Sequence, residues 1–126
     1  MSGSNLFFDT NAIIYLLKGE PRFSGVNLVD SNISISVISV MEYLAYPNLT
    51  ITERQQFEQF CEEINVVNLD LNSGNGLIEK TVELRKKYKI KLPDAIILAS
   101  AIIMKSFLIT ADSELLKISE IKIIPV

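Results

Sequence analysis

The chain has 126 residues, one domain's worth, and 48% of them are hydrophobic against 21% charged, which excludes a disordered chain and supplies a real core. A net charge of −3 and an isoelectric point near 4.9 argue against a protein that coats nucleic-acid duplexes, because binders that wrap phosphates are basic. The mean hydropathy of +0.30 is high for a small soluble protein and leaves apolar surface for a partner or a second copy. With one cysteine, Cys61, no disulfide forms within the chain, and with no histidine at all the Ser-His-Asp and Cys-His arrangements and an ordinary zinc site are excluded. Catalysis must rest on carboxylates, hydroxyls, lysines or a hard metal ion. No signal peptide is read in Met1–Asn5, and apolar runs such as Ala95–Ala99 and Ala101–Met104 are too short to span a bilayer. The expectation is a cytoplasmic protein without a membrane segment.

Residues 5–126 read as one domain behind a flexible N-terminus, residues 1–4. Leu6-Phe7-Phe8 is a buried strand, and Asp9-Thr10-Asn11 can cap a helix over Ala12–Lys18 that ends at Gly19-Glu20-Pro21. A second strand covers Ile33–Val37, and the helix after it runs to Tyr46, where Pro47 stops it. Thr52 with Glu53 starts a helix carrying Phe57, Phe60, Cys61 and Ile64 on one face, and Val66–Leu69 is the third strand. An amphipathic helix over Gly76–Tyr88 has Leu77, Val82 and Leu84 among its apolar positions, and Pro93 opens an apolar helix to Lys105. Phe107–Ile109, a short helix Glu114–Ile118 and a strand Lys122–Ile124 complete the chain. Strands alternating with helices predict right-handed crossovers and a mostly parallel, doubly wound α/β sheet, with its functional crevice beyond the carboxyl ends of the strands.

Four acids are candidates for that crevice. Asp9 follows the first strand and Asp112 the fourth, and either one alone is adequately read as a helix cap or loop acid. Glu42 lies in the apolar stretch Ser36–Ala45, where helical spacing sets it with Ile38, Ala45 and Tyr46 near the buried stripe. A glutamate bonded to backbone at the sheet edge and a functional glutamate stand level there, since glutamate is rarely buried without a partner. Asp94 shares a face with Ile97, Leu98 and Ala101. A favourable helix dipole explains an acid in the first turn, but not one on the inward face. Acids sharing a crevice repel, and a divalent cation removes the conflict. An oxygen-only set suits Mg²⁺ or Mn²⁺, and with it metal-assisted phosphodiester hydrolysis.

Phe8-Asp9-Thr10-Asn11, the run Ile35-Ser36-Val37-Ile38-Ser39 to Glu42, Leu92-Pro93-Asp94-Ala95-Ile96-Ile97 and Leu108-Ile109-Thr110-Ala111-Asp112 together resemble the PIN-domain family, most closely its VapC-type toxin ribonucleases. The resemblance runs from Asn5 to Val126 and implies a three-layer α/β/α fold with a central parallel five-stranded sheet. It implies Mg²⁺- or Mn²⁺-dependent cleavage of single-stranded RNA, with Asp9, Glu42, Asp94 and Asp112 at the family's acidic positions and Thr10, Asn11 and Thr110 at its supporting polar ones. For VapC-type members it further implies a homodimer and a small antitoxin whose segment covers the active site. Ser39 stands where the family often has threonine, and Ser113-Glu114-Leu115-Leu116 lacks the frequent acidic-plus-phenylalanine pairing.

Arg85, Lys86, Lys87, Lys89 and Lys91 gather five of the 12 basic residues within seven positions just before Asp94. One reading is a solvated helix end complementing its dipole; the other makes Lys86, Lys87 and Lys89 a substrate-binding rim that guides RNA phosphates or an acidic antitoxin tail. Two alternatives to the enzyme remain: a catalytically silent PIN-like module that binds RNA or protein, and a phospho-receiver using Asp9 with Asp70. The second lacks a further acid beside Asp9, where Thr10 stands, and a lysine just past the last strand.

Overall fold

Alternation along the first strand sets up two cores. In the computed structural model, which describes residues 4–70, 74 and 76–126, β1 (Asn5–Phe8) sends Phe7 to one face and Leu6 and Phe8 to the other, all three buried. Residues 1–3 of the expected flexible N-terminus lie outside the described residues. The chain continues as α1 (Thr10–Leu17), a 3₁₀ turn (Pro21–Phe23), β2 (Asn32–Ser36), α2 (Val37–Leu44), α3 (Ile51–Glu63) and β3 (Asn65–Val67). Then come α4 (Leu77–Tyr88), α5 (Leu92–Ile103), β4 (Phe107–Thr110), a second 3₁₀ turn (Ser113–Lys117) and β5 (Ile123–Pro125).

The five strands pair in parallel in the order β3-β2-β1-β4-β5. The chain winds outward from β1 through β2 to β3, then crosses to the other side for β4 and β5. The switch point therefore lies between β1 and β4, where Phe8 pairs with Ile109. Phe7 and Leu108 pack with Leu84, Ile97, Leu98 and Leu115 under α4, α5 and the second 3₁₀ turn. Phe8, Ile35 and Ile109 pack with Ile13, Tyr43 and Phe57 under α1, α2 and α3. Helices thus cover both faces of the sheet, the three-layer α/β/α arrangement. Each fully buried phenylalanine of β1 contributes about 1.5–3 kcal/mol of transfer free energy to these cores.

Helix ends account for most differences from the sequence-based bounds. α1 closes with a Schellman motif: Gly19 has φ +72°, its N–H donates to the Leu16 carbonyl, and the Glu20 N–H donates to the Tyr15 carbonyl. α3 begins at Ile51, not at Thr52, because Thr50 and Glu53 form a reciprocal capping box. α2 ends at Leu44, so Tyr46 lies past the helix on the turn before Pro47. On α4, Leu77, Thr81 and Leu84 form the buried stripe and Val82 faces outward, since a period of 3.6 carries position 82 away from that line. Cys61 packs, half-buried, against the core beside Phe57, and burial pushes its thiol pKa up, away from the reactive thiolate. No helix among the described residues is long and apolar enough to cross a membrane.

Candidate active site

The two central strands deliver their acids side by side. The Asp9 N–H continues the β1–β4 ladder by donating to the Ile109 carbonyl (3.1 Å), which brings Asp9 next to Thr110 although 101 positions separate them in sequence. Asp9 caps α1: one carboxylate oxygen accepts the Ala12 N–H at 2.9 Å and the other accepts the Thr110 hydroxyl. Thr110, itself buried, also accepts the Asp112 N–H at 3.0 Å, and Asp112 caps the following 3₁₀ turn through the Glu114 N–H. One threonine hydroxyl thereby fixes both acids that lie beyond the switch point.

α2 and α5 close the cleft from the flanks. Ser36 caps α2 at its start, and the helix buries Ser39 and Tyr43. Glu42 is an exposed residue here, which corrects the expectation of a buried stripe: on an eight-residue helix the line through 36, 39 and 43 faces the core and position 42 falls beside it, toward the cleft. Thr10 donates to Glu42 Oε1 at 2.6 Å, and its oxygen lies 2.9 Å from Ser39 Oγ. A threonine has one proton to give and the carboxylate is the stronger acceptor, so the Ser39 hydroxyl supplies the proton of the second contact. Ser39 thus supports Thr10 and, through it, Glu42, a role that its departure from the family pattern does not reveal. Its place three positions before Glu42 was the available signal. Asp94 is the third residue of α5, half-buried above Ile97, Leu98 and Ala101 as the helical spacing predicts.

Asp9, Thr10, Asn11, Glu42, Asp94 and Asp112 line one open cleft of about 370 Å³, with Ala45 and Tyr46 on its rim. Burial pushes the Asp9 carboxyl above its ordinary pKa; Thr110 and the Ala12 N–H pull it back, and the charges of Asp94 and Asp112 push it up further. Burial also raises Asp94, reinforced by Asp112 and Glu42 and opposed by Lys91. The cleft therefore holds negative charge in excess of what its own hydrogen bonds relieve. Its donors are all oxygens, which fits a hard divalent cation. Among the described residues, no three acids converge tightly enough to cage an ion unaided. Any ion held there would need water or substrate phosphate to complete its shell.

Of the basic run, Lys91 acts on Asp94, but Lys86, Lys87 and Lys89 do not line this cleft. Lys86 and Lys89 line a separate groove with Val82, Arg85 and Ile90. Lys87 is paired with Glu120 at 2.8 Å, and Glu120, which also accepts the Tyr88 hydroxyl, is held down to a pKa of about 2. Asp70 follows β3, the edge strand two positions from β1, whereas a phospho-receiver sheet runs 2-1-3-4-5 and sets its third strand beside the first. The phospho-receiver alternative fails on this topology.

The PIN domain family model matches residues 6–121. The chain belongs to the PIN domain family. Among solved structures, it is similar to a toxin–antitoxin complex from Klebsiella pneumoniae, with 30% identity, coverage of 92% of this chain and 94% of that one, and a TM-score of 0.76. VapBC2 from Rickettsia felis, bound to a DNA fragment from its promoter, shares the fold at 17% identity, with coverage of 97% and 98% and a TM-score of 0.79. VapBC-1 from nontypeable Haemophilus influenzae does so at 21% identity, with coverage of 96% and 97% and a TM-score of 0.74. The family match agrees with the PIN-domain resemblance of the sequence, and the relative of 30% identity is itself part of a toxin–antitoxin complex. No curated protein sequence matches the chain.

Proposed function

We propose that the protein is a metal-dependent endoribonuclease that hydrolyses phosphodiester bonds of single-stranded RNA, acting as the toxin of a toxin–antitoxin pair. The observation that carries this reading is the single cleft in which Asp9, Glu42, Asp94 and Asp112 meet, with Asp9 and Asp94 raised in pKa by burial and by their acidic neighbours. Membership of the PIN family and similarity to toxin–antitoxin structures support it.

In this reading Mg²⁺ or Mn²⁺ would be held by ligands drawn from Asp9, Glu42, Asp94 and Asp112, completed by water and substrate phosphate, and when bound would supply Lewis-acid neutralisation of the charge on the phosphate and its leaving oxygen. Thr110 keeps Asp9 and Asp112 oriented, and Thr10, backed by Ser39, keeps Glu42 oriented. Glu42, the exposed acid, has access to the attacking water and accepts its proton or aligns it. Asn11 lines the cleft beside the acids and can donate its amide to a phosphate oxygen. Lys86 and Lys89, in their own groove, add positive charge that draws RNA or an acidic antitoxin segment. The antitoxin covers the cleft, two copies pair through exposed apolar side chains, and the protein works in the cytoplasm.

Purified protein should cleave single-stranded RNA with Mg²⁺ or Mn²⁺, lose the activity in EDTA, and lose it as Asp9→Asn. Activity that survives EDTA overturns the mechanism. The absence of a ready-made acid cage among the described residues favours one second reading, a silent RNA- or protein-binding module. Calorimetric titration with Mn²⁺ separates the two: the enzyme binds the ion and Glu42→Gln weakens it, whereas the silent module takes up none.

A further inference from the structure

Beside the acidic cleft lies a second groove of about 490 Å³, lined by α1, the end of α2 and the start of α3. The two hollows share Asn11 and Tyr46, so they adjoin at the rim of the cleft. Tyr46 is the side chain that divides them. It is 46% exposed, a large aromatic face left in water at the edge of an acidic site.

Its position is held from both sides. The backbone N–H of Tyr46 donates to the Tyr43 carbonyl and its own carbonyl accepts the Leu49 N–H, closing the turn around Pro47. Its ring meets Tyr43 edge-on, with centroids 6.3 Å apart and planes at 89°, and Tyr43 stacks on the buried Phe57 at 4.0 Å. Phe57 and Tyr43 belong to the core, so the ladder Phe57–Tyr43–Tyr46 transmits the rigidity of the core to the rim. An exposed aromatic held this way costs little further ordering when a flat ligand stacks on it. The groove also carries Asn48 and Gln56, whose amides both donate and accept, and Lys18, whose positive charge is felt by the Glu53 carboxylate in the same lining.

We propose that Tyr46 is the stacking platform for the base next to the scissile phosphate, and that the groove beyond it receives that nucleotide with its edge toward Asn48 and Gln56 and a flanking phosphate toward Lys18. This rests on the ribonuclease reading above and adds to it a residue that positions and selects substrate. Single-stranded RNA is recognised by splaying out bases, stacking them on aromatic faces and bonding their edges, and this groove joins an aromatic face at the cleft to amides and a cation in its lining. A protein segment would also fit an apolar groove, but its place beside the acids favours the molecule whose phosphate the acids would serve.

The test compares wild type, Tyr46→Ala and Tyr46→Phe on a short single-stranded RNA of mapped cleavage site and on versions with an abasic residue on either side of that site. Stacking on an aromatic side chain is large enough that Tyr46→Ala should raise KM about 10–100-fold with little change in kcat, and Tyr46→Phe should restore it. One abasic substitution should weaken wild type by a similar factor and leave Tyr46→Ala unaffected. The chain has no tryptophan, so a 2-aminopurine at the same position reports stacking directly. In an Asp94→Asn background, which keeps the RNA intact, its fluorescence should quench on binding, and Tyr46→Ala should abolish the quench. Equal KM for wild type and Tyr46→Ala, or an unchanged quench, overturns the inference while wild-type cleavage leaves the ribonuclease reading standing. If Tyr46→Ala instead loses only a bound protein partner and cuts RNA normally, the groove is a protein site and the inference is wrong. Should wild type fail to cut any RNA, the ribonuclease reading fails first, and the quench alone decides whether Tyr46 stacks a base.

Discussion

The two ends of the sheet are both polar, and they handle polarity in opposite ways. At the amino ends, Asn5 and Asn32 open neighbouring strands and bond to each other at 3.1 Å, and Asn65 at the start of β3 donates to Ser34 at 3.3 Å. These groups are neutral and two hydrogen bonds join them, although the Ser106 hydroxyl just before β4 is buried there without a partner among the described residues. At the carboxyl ends, Asp9, Glu42, Asp94 and Asp112 can only accept when ionised, and they crowd one cleft where burial and mutual repulsion raise Asp9 and Asp94. The paired groups at the amino ends carry no charge. The acids at the other end retain charge that their own hydrogen bonds do not relieve, a cost in stability at the proposed active site.

The sharpest break of that comparison is substitution at the acidic end. Asp9→Asn or Asp94→Asn should cut metal-dependent RNA cleavage by about 10²–10³-fold, measured as kcat/KM on one RNA. Without metal at neutral pH, Asp94→Asn should nonetheless melt a few degrees higher than wild type. The pH dependence carries a definite sign. Both acids have raised values in the folded chain, so folding favours their protonated forms; the stability they contribute is fully present below the ordinary carboxylate value of about 4 and is lost as pH rises through the raised folded values. The melting advantage of Asp94→Asn should therefore vanish on acidification, and thermal melts from pH 3.5 to 8 check it. An advantage that persists at low pH contradicts the assignment of strain to charge.

Next in size is the cation itself. A divalent ion that binds only the folded chain stabilises it by about 2.7 kcal/mol at a hundred times its dissociation constant. Thermal melts with added Mn²⁺ should show that gain for wild type and most of it lost in Asp94→Asn. Thr110→Val then removes a hydroxyl that both donates to Asp9 and accepts from Asp112 while preserving shape. It should destabilise by about 1–3 kcal/mol through the buried groups left unpaired, and lower cleavage about 10–100-fold. The amino end supplies the smallest effect and the control: Asn32→Ala should cost about 1 kcal/mol in denaturant melts and leave cleavage at the wild-type rate. If it impairs cleavage as much as Thr110→Val does, the division between the two ends fails.

Much of this division is written locally in the chain. The Phe7/Phe8 alternation, the cap at Asp9, the stop at Pro47 and the Pro93-Asp94 helix start are short-range signals, because periodicity and capping act within one or two turns. They were enough to find the strands, the helices and the four acids, and the inward stripe headed by Asp94 is where helical spacing set it. What the tertiary structure alone decided is what depends on neighbours far apart in sequence. Strand order made β1 and β4 adjacent and brought Thr110 to Asp9, and the same order carried Asp70 away to the edge. Lys87 meets Glu120, 33 positions on, a contact that no local signal carries. Glu42 kept its place beside the other acids but lies on the exposed side of its helix, because an eight-residue helix has its buried line set by what it packs against and not by composition. Sequence alone determined which groups carry the charge; the crossing of the chain between β1 and β4 determined that these charges must share one space.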